Sequence, residues 1–126
     1  MRSYTLLELV ITVAIVGILS TMGFINYTSY REAILDKEAV ANLRLIIAAE
    51  RIYRIEVGGY YAAANNQAIN DNLRLLLPVA GTINWNYRTT VGGASSTCAE
   101  ATRNSATPRS WRLRFTSSIL SSGACP

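Results

Sequence analysis

Few residues in this chain can do chemistry. Glu8 is the single carboxylate within residues 4–25, YTLLELVITVAIVGILSTMGFI, while Cys98 and Cys125 are the only thiols and histidine is absent. An ionised carboxylate in the apolar part of a membrane helix costs about 2.5 to 3.5 kcal/mol, so something must offset the charge on Glu8. Reaching water or lipid headgroups would do so. A cation on a neighbouring copy would do so as well, and the α-amino group of Met1 and the guanidinium of Arg2 are the nearest candidates in the sequence. Catalysis is nearly excluded by inventory: without histidine, with one lysine and with scattered acids, the usual bases, nucleophiles and metal sets are missing. No glycine loop for phosphate is present. Two cysteines without histidine are too few for structural zinc, and a disulfide between Cys98 and Cys125 is the better reading. In an oxidising compartment it would be worth roughly 2 to 4 kcal/mol. Residues 104–126 carry no acidic cluster for calcium, so no metal and no cofactor is expected.

The elements that must position these residues follow from hydropathy and periodicity. From Leu9 to Ile25 the polar residues are Thr12, Ser20 and Thr21, whose hydroxyls can bond back into a helix. With residues 4–8 added, the run is about long enough to cross a hydrocarbon core of roughly 30 Å. The helical pattern continues without proline to Val57, so a single helix is expected over about residues 3–56, first apolar all round and then amphipathic. Leu35, Ala39, Leu43, Ile46, Tyr53 and Val57 recur near one face. Gly58-Gly59 ends it, and a short helix is expected from Asn70 or Asp71 to Leu77, stopped by Pro78. Alternation gives strands at residues 82–89, with Ile83, Trp85 and Tyr87 inward, and at residues 110–116, with Trp111, Leu113 and Phe115 inward. Gly92-Gly93 signals a hairpin to a weakly patterned strand at residues 97–103. The aromatic residues read as core rather than as a base-stacking platform.

The N-terminal residues resemble the type IV pilin family. Tyr4, Thr5, Leu6, Leu7, Glu8 and Leu9 reproduce its aromatic-Thr-Leu-Ile/Leu-Glu start, Gly17-Ile18-Leu19 falls where the family has Gly-Ile-Leu, and Tyr27 and Tyr30 match family aromatics. The family's helix-kinking proline is replaced by Ile25, which leaves Gly17 and Gly23 as weak points, each costing about 1 kcal/mol relative to alanine. The resemblance implies an α+β pilin fold: a long N-terminal helix, its apolar half protruding, packed on an antiparallel sheet of three or four strands. It divides the chain into an apolar membrane and filament-core helix, residues 1–26, and a globular head, residues 27–126. It also implies that Glu8 neutralises the N-terminal charge of an adjacent subunit, and it strengthens the disulfide, since type IV pilins usually pin their C-terminal loop with one.

Met1, Arg2 and Ser3 precede the matching aromatic and can be read in two ways. A mature chain starting at Met1 is expected over a three-residue leader, because Ser3 would stand where the prepilin peptidase prefers glycine. Arg2 then rivals the Met1 amine as partner of Glu8.

Two functions remain. The first is a structural subunit of a type IV pilus, a homo-oligomeric helical filament drawn from an inner-membrane pool by prepilin peptidase and assembly machinery, then extracellular. The second is a minor pilin or type II secretion pseudopilin with a binding role in DNA uptake or secretion. The formal charge of +4, arginine-rich, leaves DNA or a surface as further contacts, although no nucleic-acid motif accompanies the charge. Serines 117, 118, 121 and 122 read as an exposed loop. The same subunit plan would serve adhesion, twitching, DNA uptake or secretion.

Overall fold

The computed structural model describes residues 4–81, 83–92, 96–116 and 120–126, with only the backbone at residues 24–26. The chain divides into two compact units, residues 1–35 and 36–126. Helix α1, Leu6–Val57, runs through both in sequence.

In the first unit, the apolar residues at the start of α1 lie open: Leu6, Val10, Ile15, Leu19 and Met22 are each more than half exposed. The hydroxyls of Thr12, Ser20 and Thr21 donate to Leu9 O, Val16 O and Ile18 O at 2.9, 2.7 and 2.8 Å. That is the back-bonding expected of polar groups without water.

The second unit is α+β. Its α1 segment ends at Gly58, whose φ of 88° lets its N–H reach Arg54 O at 2.9 Å. Helix α2 spans Asn66–Leu73, capped by the Asn65 side chain on Ala68 N at 2.9 Å. It starts earlier and stops earlier than the sequence suggests. The cap is Asn65 rather than Asn70 or Asp71, and left-handed Arg74 ends the helix before Pro78 is reached. Asn70 instead clamps the exit loop, donating to Leu77 O and accepting from Leu77 N, both at 2.8 Å.

Four strands follow, β1 Trp85–Val91, β2 Thr97–Arg103, β3 Ser110–Arg114 and β4 Leu120–Ser122, forming an antiparallel meander in chain order. The proposed strand at residues 82–89 is displaced toward Val91, and Thr82 lies outside the described residues, as do Gly93, Ser117 and Ser118. The strand at residues 110–116 stops at Arg114. The weak pattern of β2 has a physical cause: it is buried on both faces. Ala99 and Ala101 belong to the core, whereas Cys98 and Glu100 are covered by the C-terminal segment.

Ala39, Leu43, Ile46 and Ile47 of α1 form one apolar cluster with Ile69 and Leu73 of α2 and with Trp85, Tyr87, Ala99, Ala101 and Leu113 of the sheet. Of the predicted stripe, Leu35, Ala39, Leu43 and Ile46 are buried and Tyr53 is half-buried. Val57, the last residue of the helix, is exposed. Asn66 is the polar hub between layers. Its amide donates to Pro78 O and Trp85 O at 2.7 and 3.2 Å and accepts from Tyr87 N at 2.7 Å. Ala63 and Thr89 exchange a pair of backbone hydrogen bonds, and the Thr89 hydroxyl also serves Ala63 N and Tyr61 O.

Candidate assembly surface

The start of α1 is built by Thr5 and Glu8. The Thr5 hydroxyl accepts from Glu8 N at 3.3 Å, and Glu8 Oε2 accepts from both Thr5 N and the Thr5 hydroxyl at 3.1 Å. This reciprocal pair is a capping box: two backbone N–H groups that the first helical turn cannot satisfy are taken by side chains, and a carboxylate lies at the positive end of the helix dipole. The T-x-x-E spacing announces it, and an account of Glu8 by its need for a foreign cation alone overlooks it. Glu8 therefore has a partner within its own chain. Only Oε2 is engaged among the described residues, and the carboxylate opens onto an apolar groove lined by Tyr4, Leu9 and Thr12.

Met1 and Arg2, the cations proposed to meet Glu8, lie outside the described residues. Gly17 sits on an exposed stretch of α1 with open space where a Cβ would stand, so no close approach within the chain requires glycine there. The helix contains an 18-residue stretch long and apolar enough to cross a membrane, with none of it buried.

At the other end of the chain, Cys98 and Cys125 form a disulfide with Cα atoms 6.1 Å apart. Around it lies a polar clasp that the sequence does not announce. Glu100 Oε2 accepts from Cys125 N at 3.1 Å while pairing with Arg88 at 2.8 Å, and Arg112 on the adjacent strand donates to Ala124 O at 2.8 Å and to the Ser121 hydroxyl at 2.9 Å. The signal was the register itself, which places Arg88, Glu100 and Arg112 side by side across three strands. Asp36 on α1 accepts from Arg109 at 3.1 Å and from the Trp111 indole at 3.4 Å.

Two buried groups titrate abnormally. Burial pushes the Glu50 carboxyl above its ordinary value, although Tyr61 N donates to it at 3.0 Å; its second oxygen, Oε1, has no hydrogen-bond partner among the described residues. Burial pushes the Tyr87 hydroxyl up to about 12 against the opposing hydrogen bond from Asn42, with the negative charge of Glu38 adding to the rise. Among the described residues no group of three or more His, Cys, Asp or Glu side chains could hold a metal.

No family profile matches the chain, and no solved structure matches it. Among curated proteins it is similar to the type IV major pilin protein PilA of Myxococcus xanthus (strain DK1622), with 34% identity over 64 residues, which cover 51% of this chain and 29% of that protein. The chain thus spans less than a third of the relative it matches. The long apolar N-terminal helix and the antiparallel sheet together make an α+β, pilin-like fold. The similarity supports the type IV pilin family.

Proposed function

We propose that this chain is a structural subunit of a type IV pilus filament, polymerised through its apolar N-terminal residues 1–26, which include the start of α1, with Glu8 meeting the N-terminal charge of the next copy. The observation that carries the reading is the exposed apolar face of α1. Such a surface is stable in a bilayer or among copies of itself, and each Å² withdrawn from water contributes about 25 cal/mol. The similarity to a major pilin points the same way. Before assembly the helix holds the subunit in the inner membrane; afterwards it lies inside an extracellular polymer. Met1 and Arg2 are the cations offered to the free side of the Glu8 carboxylate, and Tyr4, Thr5 and Gly17 belong to the same packing surface. The filament's role is structural, without catalysis.

The test is assembly in a bacterium that carries pilus machinery. The full chain should appear in the sheared surface fraction as filaments, and a version starting at Tyr27 should remain unpolymerised. Filaments built from the shortened chain would overturn the reading.

A further inference from the structure

The second unit carries an exposed surface that the filament reading leaves unassigned. Within residues 36–57, α1 turns one face to the sheet and the opposite face to solvent. On that outer face Ala41, Leu45, Ala48, Ile52 and Ile55 follow one another at steps of three and four, with Leu45, Ile52 and Ile55 exposed to 49%, 60% and 85%. At 3.6 residues per turn, Lys37, Arg44 and Arg51, spaced by seven, line one flank of this stripe. Glu38 and Glu56, about five turns apart, line the other.

Arg44 and Arg51 open, with Arg114, onto a groove of about 350 Å³ floored by Ile47, Ala48 and Leu113. The Arg51 guanidinium is held over the Phe115 ring, 5.0 Å from its centroid. On the acidic flank Glu56 borders a groove of about 300 Å³ lined by Leu45, Ile52, Tyr53 and Leu73, with Arg74 also at its rim. Among the described residues, Arg44, Arg51 and Glu56 form no ion pair.

The sign pattern selects the occupant. A membrane surface or a polyanion calls for basic residues on both flanks. An antiparallel copy related by a two-fold axis would set acid against acid and base against base. A parallel copy instead lays its acidic flank on the basic flank of its neighbour and buries the two stripes between them. We propose that this outer face of α1 is a contact between parallel copies of the chain, in which Arg51 of one copy meets Glu56 of the next. A shift of five residues, about 7.5 Å at 1.5 Å per residue, brings the two level. The contact is charged and directional, so it sets the register of neighbouring subunits, which an all-apolar surface cannot do. It rests on the filament reading above.

Charge reversal tests it in the full chain. Arg51→Glu and Glu56→Arg should each lower surface filament number about tenfold or more, at unchanged membrane level of the subunit. The doubly reversed chain, Arg51→Glu with Glu56→Arg, should recover to within about threefold of wild type, since each copy again offers both signs. Glu56 is exposed and stacks on no ring among the described residues, so Glu56→Arg keeps the test valid should Arg51→Glu disturb the Phe115 stack. Wild-type filament numbers in both single variants, with Glu8→Gln still blocking assembly, would overturn the contact and leave the filament reading standing. Normal filaments that lose retention on immobilised heparin in Arg51→Glu would assign the basic row to a polyanion and overturn it too. If the unaltered chain forms no filaments, the filament reading and this contact fall together.

Discussion

Replacing Glu8 by glutamine separates the helix cap that the structure shows from the charge pairing that the filament reading adds. The carboxylate closes a capping box with Thr5 and, on the filament reading, neutralises a cation of the next subunit. Glutamine retains an oxygen to accept from Thr5 N, and the box tolerates Glu or Gln at this position. The cap therefore survives and only the charge is lost. A cation left buried without its partner costs about 3 to 5 kcal/mol, which at 1.4 kcal/mol per decade is roughly a hundred- to several-thousand-fold in the equilibrium for adding a subunit. Thr5→Ala does the reverse: it removes the capping hydroxyl for about 1 kcal/mol, or about fivefold, and keeps the charge. Filaments should be counted on cells carrying each variant, with the membrane level of the subunit measured in the same cultures. Glu8→Gln should insert normally and yield almost no filaments, while Thr5→Ala should yield fewer but readily counted ones. Wild-type filament numbers in Glu8→Gln would refute the pairing and leave Glu8 as a helix cap.

Three further outcomes follow from the second unit. Asn66→Ala removes the partner of Pro78 O, Trp85 O and Tyr87 N and should lower stability by about 2 kcal/mol in urea unfolding, at about 1 kcal/mol for each of the two buried bonds, to Trp85 O and from Tyr87 N. Cys98→Ser opens a loop of 27 residues in sequence separation and should cost about 3 to 4 kcal/mol, read by comparing urea midpoints with and without reductant. Glu50, whose carboxyl titrates above its ordinary value of 4.5, is held more protonated in the folded chain than in the unfolded one. The contribution of Glu50 to stability should then be full below the ordinary carboxylate range and decline as pH rises toward the raised value. Glu50→Gln should remove that decline in melting scans across pH.

How much the sequence discloses depends on whether the determining contacts are local. The long helix is legible because its apolar run and its glycine stop are written in neighbouring residues. The cap at Thr5 is equally local. Trp85, Tyr87 and Leu113 show their inward direction by simple alternation. By contrast β2 hides its character: its apolar pattern is weak, and Glu100 is buried because Cys125 and Arg88 close over it from other parts of the chain. The start of α2 was obscured by a run of asparagines, each an acceptable cap. Asn65 wins because the next residue, Asn66, must stand where its amide reaches β1. The three-residue β4 is too short to carry a period at all.

The placement of Asn66 has a consequence for how copies can and cannot join. A strand at the margin of a sheet normally offers unpaired backbone groups on which a foreign strand can crystallise, the usual route to runaway fibres. On β1 four of those groups are already occupied: Trp85 O and Tyr87 N by the Asn66 amide, which imitates a peptide unit, and Thr89 N and O by Ala63. A protein concentrated to filament density is thereby shielded against sheet-to-sheet fusion along this margin. On the filament reading, copies meeting at this margin recognise one another through side chains, whose contacts can be released when a polymer has to come apart.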